Sequence, residues 1–236
     1  MISFRKIGAI YAKNMKNFIS NPFMGAVPVM VLILAYLMGM IAPDEATPYQ
    51  IVGMMLMILL MNLLMGGSFI MSCLIAEEKE KNTLNVLITS TVSVMDFLIS
   101  NVLFTATITI AVNIIIYFIT GLNVLPFGEY MLFTSLGTIT AITFGASLGL
   151  LAKNQAAASA MSSPMMALII LPAFLHDNFF VENVLHYVFT EQIAIGLVSI
   201  ARGYGVPWFR LGIIAANLAV FVVLFAVCYR KKGLEG

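Results

Sequence analysis

The chain has 236 residues, of which 61% are hydrophobic and 10% charged, with a formal net charge of +1. Soluble domains carry roughly 25% charged residues, so this composition excludes a soluble enzyme and reads as an integral membrane protein. Its Lys and Arg are distributed by segment and not gathered into one patch, which argues against a nucleic-acid surface.

Residues 1–23 form an amphipathic segment and not a span. Phe4, Ile7, Tyr11, Met15, Phe18 and Ile19 share one helical face, with Arg5, Lys6, Lys13, Lys16 and Asn17 opposite; Ile10 and Asn14 break the pattern. Such a helix lies in the headgroup plane, and Asn21-Pro22 predicts its end.

From residue 24 to residue 236 the chain reads as one membrane domain. Six stretches are long and apolar enough to cross a hydrocarbon core of about 30 Å: 24–42, 51–76, 97–120, 131–151, 156–175 and 211–228. The second is longer than a perpendicular crossing needs, so its end should tilt or project beyond the membrane. With the N-terminus inside, Arg5, Lys6, Lys13, Lys16, Lys79, Lys81, Lys153, Arg230, Lys231 and Lys232 are cytosolic, and Arg202 and Arg210 lie outside. The positive-inside rule then predicts cytoplasmic N- and C-termini. No signal-peptide pattern precedes the first span.

Between the second and third spans stands the densest charge cluster, Glu77-Glu78-Lys79-Glu80-Lys81. A charge at the membrane centre costs about 2.5–3.5 kcal/mol, so the chain leaves the bilayer here and re-enters near Asp96. The last outer loop, 176–210, is much longer than the others. Phe180, Val184, Tyr187 and Val188 oppose Glu182, Asn183, His186 and Thr190, and the apolar piece 193–200 is too short to span. A re-entrant or interfacial helical hairpin is expected there, with Gly203, Gly205, Pro207 and Trp208 leading into the last span.

Catalytic and metal-binding residues are expected to be none. The sequence has no Gly-Lys pair and hence no P-loop, so any ATP must be handled by another chain. Cys73 and Cys228 sit near predicted cytosolic span ends and read as packing residues. His176 and His186, with Asp177, Glu182 and Glu191 nearby, match no ligand spacing. Glu77 and Glu78 are separated from both histidines by the membrane, about 30 Å, which excludes a shared intramembrane protease site.

No span carries Asp, Glu, Lys or Arg in its central portion, which disfavours an ion-coupled carrier. The polar span residues are neutral: Asn62, Ser68, Thr105, Thr107, Thr109, Asn113, Thr138, Thr140, Thr143, Ser162, Ser163 and Asn217. Most are expected to bond between helices. Gly145 and Gly149 form a Gly-x-x-x-Gly pair, open to intrachain packing or dimerisation; Gly66-Gly67 interrupts the second span, and Ala156, Ala160 and Pro164 follow a related spacing on the fifth.

This arrangement resembles the type-2 permeases of ATP-binding-cassette (ABC) exporters. The charged segment continues Asn82-Thr83-Leu84-Asn85-Val86-Leu87-Ile88-Thr89-Ser90-Thr91-Val92-Ser93 and is similar to the family's Glu-x-Glu-x-Gly-Thr-Leu-Glu-x-Leu-Leu pattern. Asn82 replaces the usual glycine, Asn85 the usual acid and Thr91 the usual proline, while Ser100-Asn101 replaces Gly-Lys. The resemblance implies an all-α integral membrane protein of six transmembrane helices, with an amphipathic elbow helix (1–23), a cytosolic coupling helix (77–93) and an extracellular re-entrant hairpin (176–210).

It further implies a permease pairing with a second copy or close homologue and with a separate ABC ATPase subunit that holds ATP and Mg. Glu77, Glu78, Glu80, Lys81, Thr83, Leu84, Leu87 and Ile88 would couple to that motor; Asn62, Met65, Phe69, Ser162, Met165 and Met166 would line the pathway. The expected setting is lipid of a cell membrane, the bacterial inner membrane foremost. With 17 Met and 17 Phe, an apolar adaptable lining suits amphipathic or hydrophobic peptides. Export of hydrophobic drugs or lipids is the alternative, followed by a motor-independent channel or carrier and by a plain membrane anchor.

Overall fold

The computed structural model describes residues 3–41, 45–80, 93–170 and 185–232. All regular structure among them is helical. Helix α1 (Phe4–Ser20) breaks at an extended Asn21, and α2 (Pro22–Ile41) starts on the proline, whose missing N–H is harmless at a first helical position. The second span, α3 (Pro48–Glu80), is the longest helix, and its middle, Asn62–Phe69, is π-helical. Thr47 caps it, with the Gln50 side chain accepting from the Thr47 backbone N–H at 2.9 Å.

The third span, α4 (Val94–Ile119), opens on a second reciprocal cap. The Asp96 N–H donates to Ser93 Oγ at 3.0 Å while the Asp96 carboxylate accepts from the Ser93 N–H. A tight turn follows, with Gly121 at φ 77, a conformation glycine adopts without steric penalty. Beyond it lie α5 (Phe127–Leu151), α6 (Gln155–Ile170), the short α7 (Phe189–Ala201) and α8 (Trp208–Lys232). Among the described residues, α2, α3, α4, α5 and α8 are long and apolar enough to cross a membrane. The described part of the expected fifth span, α6, is 16 residues long.

The bundle is built around α3. In its most apolar stretch 89% of residues are buried within the chain, against 17% for α8. Around α3 stand α2, α4, α5, α6 and α7, while α8 packs on the far side of α5 and against α7. Lipid tails are as apolar as Leu, so close packing and not apolarity alone must join these helices. Gly145 of α5 sits directly on the Ser68 backbone, and a Cβ at Gly149 would lie 2.8 Å from both Ile75 Cβ and Ser72 O. The Gly-x-x-x-Gly pair thus serves packing inside the chain.

The polar span residues divide: Asn62, Thr105, Asn113, Thr138 and Ser162 bond to another helix, while many of the threonine hydroxyls turn back on their own. Thr107, Thr109, Thr134, Thr138, Thr140 and Thr143 each donate to the carbonyl four residues earlier on their own helix. A short hydroxyl reaches that oxygen without leaving its helix. Asparagine, with a longer amide, bridges as well: Asn62 Nδ2 donates to Thr109 O at 3.0 Å and to Asn113 Oδ1 at 2.7 Å, joining α3 to α4.

The outer-loop periodicity also needs correction. The extended Val188 resets the phase, so α7 begins at Phe189; Tyr187 is 58% exposed, whereas Thr190 and Gln192 are fully buried. Thr190 Oγ1 donates to Ile169 O, Gln192 Nε2 to His186 O, and Arg210 Nη1 to Gln192 Oε1 at 3.0 Å. Phe189, Ile193 and Leu197 fill the core of the bundle. Residues 176–184, including Phe180, Glu182 and Val184, lie outside the described residues.

Candidate functional site

One end of the bundle concentrates the charged chemistry. Helix α3 runs past the apolar core to Glu80, and successive helical residues point about 100° apart. Glu78, Lys79 and Glu80 therefore fan out toward different neighbours. Glu78 is buried, and its Oε1 lies 2.5 Å from Lys13 Nζ of α1. Lys79 Nζ donates to Leu150 O at 2.8 Å and Ala152 O at 2.9 Å, satisfying carbonyls at the C-terminus of α5, where a cation is also favoured by the helix dipole. Glu80 is exposed, and its Oε2 accepts from the Gln155 N–H, the first residue of α6, at 3.0 Å. A carboxylate at a helix N-terminus has the matching sign.

The same end anchors α1 on α4. Ser3 N–H donates to Asp96 Oδ1 at 2.9 Å, Ser100 Oγ to Ile7 O at 3.0 Å, and Asn14 Nδ2 to Asn101 Oδ1 at 2.6 Å. Tyr11 and Phe18 meet Phe104 edge-on, each with ring centroids 5.8 Å apart. The face drawn for α1 packs in part, with Ile7 buried and Tyr11, Met15 and Phe18 against the core around Phe104. Ile10 and Asn14, the exceptions to the helical wheel, are buried, whereas Phe4 is 88% and Ile19 77% exposed. A partner on α4 that offers Asn101 and Ser100 makes a polar residue the right one to bury.

Of the expected motor-coupling residues, Glu77 is half-buried, Glu78 buried and Glu80 exposed. Glu78 and Glu80 are bound to other helices of their own chain. Lys81, Thr83, Leu84, Leu87 and Ile88 lie outside the described residues. Lys13, Lys79 and Gln155 belong to the same constellation and were missed by motif reading; the Lys79 position inside the charge cluster was the available signal.

The expected pathway residues fall into two groups. Asn62 and Ser162 are fully buried within the chain and Phe69 nearly so, while Met65 and Met166 are half-buried and Met165 is 44% exposed. Ser72 and Ser162 hydroxyls meet at 3.1 Å, bringing α3 and α6 together. Asn62, Asn113, Thr138 and Tyr130 form a neutral network across α3, α4 and α5, completed by Asn113 Nδ2 to Thr138 Oγ1 at 3.4 Å and Tyr130 OH to Asn113 O at 2.9 Å. Among the described residues no three His, Cys, Asp or Glu side chains are grouped to hold a metal.

A search of curated proteins finds no match. Residues 37–229, from within α2 to near the end of α8, match the family model described as ABC-2 family transporter protein. The apolar helices fit a membrane permease, and the chain belongs to the ABC-2 transporter family.

Proposed function

We propose that this ABC-2 permease is the membrane half of an ATP-driven exporter of amphipathic or hydrophobic peptides. The charged end faces the cytosol, and a separate ABC ATPase carrying ATP and Mg holds the segment 81–92 beyond Glu80. Leu84, Leu87 and Ile88 are its apolar anchors, with Thr83 and Lys81 beside them. Two permeases, identical or closely related, enclose the pathway, toward which Met65, Met165 and Met166 turn. Force from the motor enters α3 and reaches α1, α5 and α6 through Glu78, Lys79 and Glu80.

The observation that carries the cargo reading is the neutrality of the central stretches of the spans. Among the described residues, the central stretches of the spans hold no Asp, Glu, Lys or Arg, and their buried polar groups are Asn, Ser, Thr and Tyr. Recognition then rests on apolar area and amphipathicity. The test reconstitutes the permease with its ATPase in lipid vesicles. It compares amphipathic helical peptides, scrambled peptides of equal composition, and lipophilic cations. ATP-dependent transport of the amphipathic peptides above the scrambled ones is expected. Equal transport of both removes the peptide reading, and transport of the cations alone replaces it with drug export.

A further inference from the structure

The second span is interrupted at its middle. Asn62–Phe69 is π-helical over eight residues, between the α-helical Pro48–Met61 and Ile70–Glu80. The π-helix is well under 1% of residues in globular proteins and occurs mostly as single-turn bulges, frequently at functional sites. We propose that this stretch is the hinge of the transport cycle. Passing one residue of register through it turns the Ile70–Glu80 half by about 100° and shifts it by about 1.5 Å, releasing the grip of Glu78, Lys79 and Glu80. The inference rests on the chain being an ATP-driven ABC-2 permease and not on the nature of its cargo.

Four observations converge on it. Asn62 Oδ1 and Ser68 Oγ, both in the π-helical stretch, are buried without a hydrogen-bond partner. Buried polar groups are ordinarily paired, so the present register leaves free energy for another to recover. Gly66 and Gly67 lie between them and lower the cost of backbone change. The facing surface of α5 presents Ala141, Gly145 and Gly149, one small residue per turn, directly against α3, while Ile142 and Leu150 beside them pack with Met71 and Ile75. A Cβ on Gly67 would stand 3.2 Å from Ala141 Cβ, which marks how closely the two backbones run.

The two halves of α3 are held differently. Above the hinge, Val52, Met55, Leu59 and Leu60 are locked into the main core, and Asn62 Nδ2 pins the boundary to α4. Below it, residues 70–76 are also buried, Met71 and Ile75 with Ile142 and Leu150 of α5 and Cys73 and Leu74 with Phe104 of α4, and polar contacts to α1, α5 and α6 hold the last turn. Polar contacts at a wet membrane edge exchange with water and re-form, which a dry packed core does not do. In the proposed cycle the upper half is the fixed frame, and the lower half moves by repacking residues 70–76 as it exchanges these polar contacts.

The native Cys73 reports on the movable half, since its Sγ lies 3.8 Å from Ser159 Oγ of α6. The experiment places Ser159→Cys in a Cys228→Ser background, reconstitutes the permease with its ATPase, and oxidises it nucleotide-free and after trapping with ATP and orthovanadate. A disulfide yield severalfold higher in the nucleotide-free state is expected. Equal yields in the two states overturn the hinge. ATP-dependent transport, measured in the same vesicles before oxidation, separates that outcome from failure of the permease reading itself.

A second variant tests the register directly. In the present register a Cβ at Gly66 would meet Asn62 Oδ1 at 2.9 Å and Thr109 Oγ1 at 3.2 Å. Gly66→Ala is expected to lower the nucleotide-free disulfide yield and to raise the ATP consumed per cargo molecule moved. A π-helix of purely structural role would lower the amount of folded protein and leave both ratios unchanged, and that result overturns the proposal.

Discussion

Lys13 and Glu78 are 65 positions apart in sequence, yet their side chains pair at 2.5 Å, with the carboxylate buried and the ammonium 43% exposed. The pair ties the N-terminal helix to the end of the central span. Because Lys13 is partly solvated, its Coulombic contribution is small, about 0–1 kcal/mol. Its removal nevertheless leaves a buried carboxylate without its ammonium partner, a penalty that falls on the remaining group. Lys13→Ala is therefore expected to lower the thermal midpoint in detergent more than Lys13→Ala/Glu78→Gln does. Equal midpoints for the single and double variants would show that the pair bears no load.

The small-residue face of α5 makes a sharper contrast. Gly145 and Gly149 lie against the backbone of α3, whereas a Cβ at Gly212 of α8 would meet nothing within 4 Å. Overpacking of this kind costs about 1–3 kcal/mol. Gly145→Ala and Gly149→Ala should each reduce the folded fraction in detergent, measured by size-exclusion chromatography after heating, and Gly212→Ala should not. Similar losses at all three positions would refute the close approach of α3 and α5.

Helix positions were readable because a membrane leaves little freedom: a span needs a minimum apolar length, and charges must sit at its ends. Asn21-Pro22 marked the break before α2, and Gly66-Gly67 marked the irregularity that proves to be π-helical. Rotation about each axis was not readable. When lipid and protein interior are both apolar, hydropathy does not say which face of a helix meets protein, and Asn14 finds its place only through Asn101 on another helix. The roles of Glu78 and Glu80 were hidden for the same reason. A charge run looks like a free surface until Lys13 and the first N–H of α6 are seen beside it.

The asparagine network offers a quantitative check. Asn113→Leu removes the acceptor for Asn62 Nδ2 and the donor to Thr138, leaving Asn62 with Thr109 O alone. Interhelical hydrogen bonds in membrane proteins contribute about 0.6 kcal/mol on average and at most about 1.7 kcal/mol. A loss within that range is expected for Asn113→Leu. The double variant with Asn62→Leu should lose less than the sum of the two single losses, because both delete the same bond. Strict additivity, measured by unfolding in mixed micelles, would show that the two amides do not interact.

The segment beyond Glu80 is where the motor should bind. Leu84→Asp with Leu87→Asp introduces two charges into the proposed apolar anchor, and burying an unpaired charge in a groove is strongly unfavourable. The double variant is expected to reach the membrane normally and to lose co-purification with the ATPase. Undiminished co-purification would place the motor contact elsewhere on the charged end.

Helix α6 provides the test of the paired assembly. Met165 is 44% exposed, whereas Ser162, one turn earlier, is fully buried with its hydroxyl against Ser72 of the same chain. If α6 of one permease faces α6 of the other across a shared pathway, Met165→Cys should form a disulfide between two copies in native membranes under mild oxidation. Ser162→Cys should not, because its side chain is turned into its own bundle. Cross-linking at 165 should also be slowed by an amphipathic peptide cargo that occupies the space between the copies. Cross-linking at 162 but not at 165 would reverse the orientation of α6, and monomer alone at both positions would remove the α6-to-α6 arrangement of the pair.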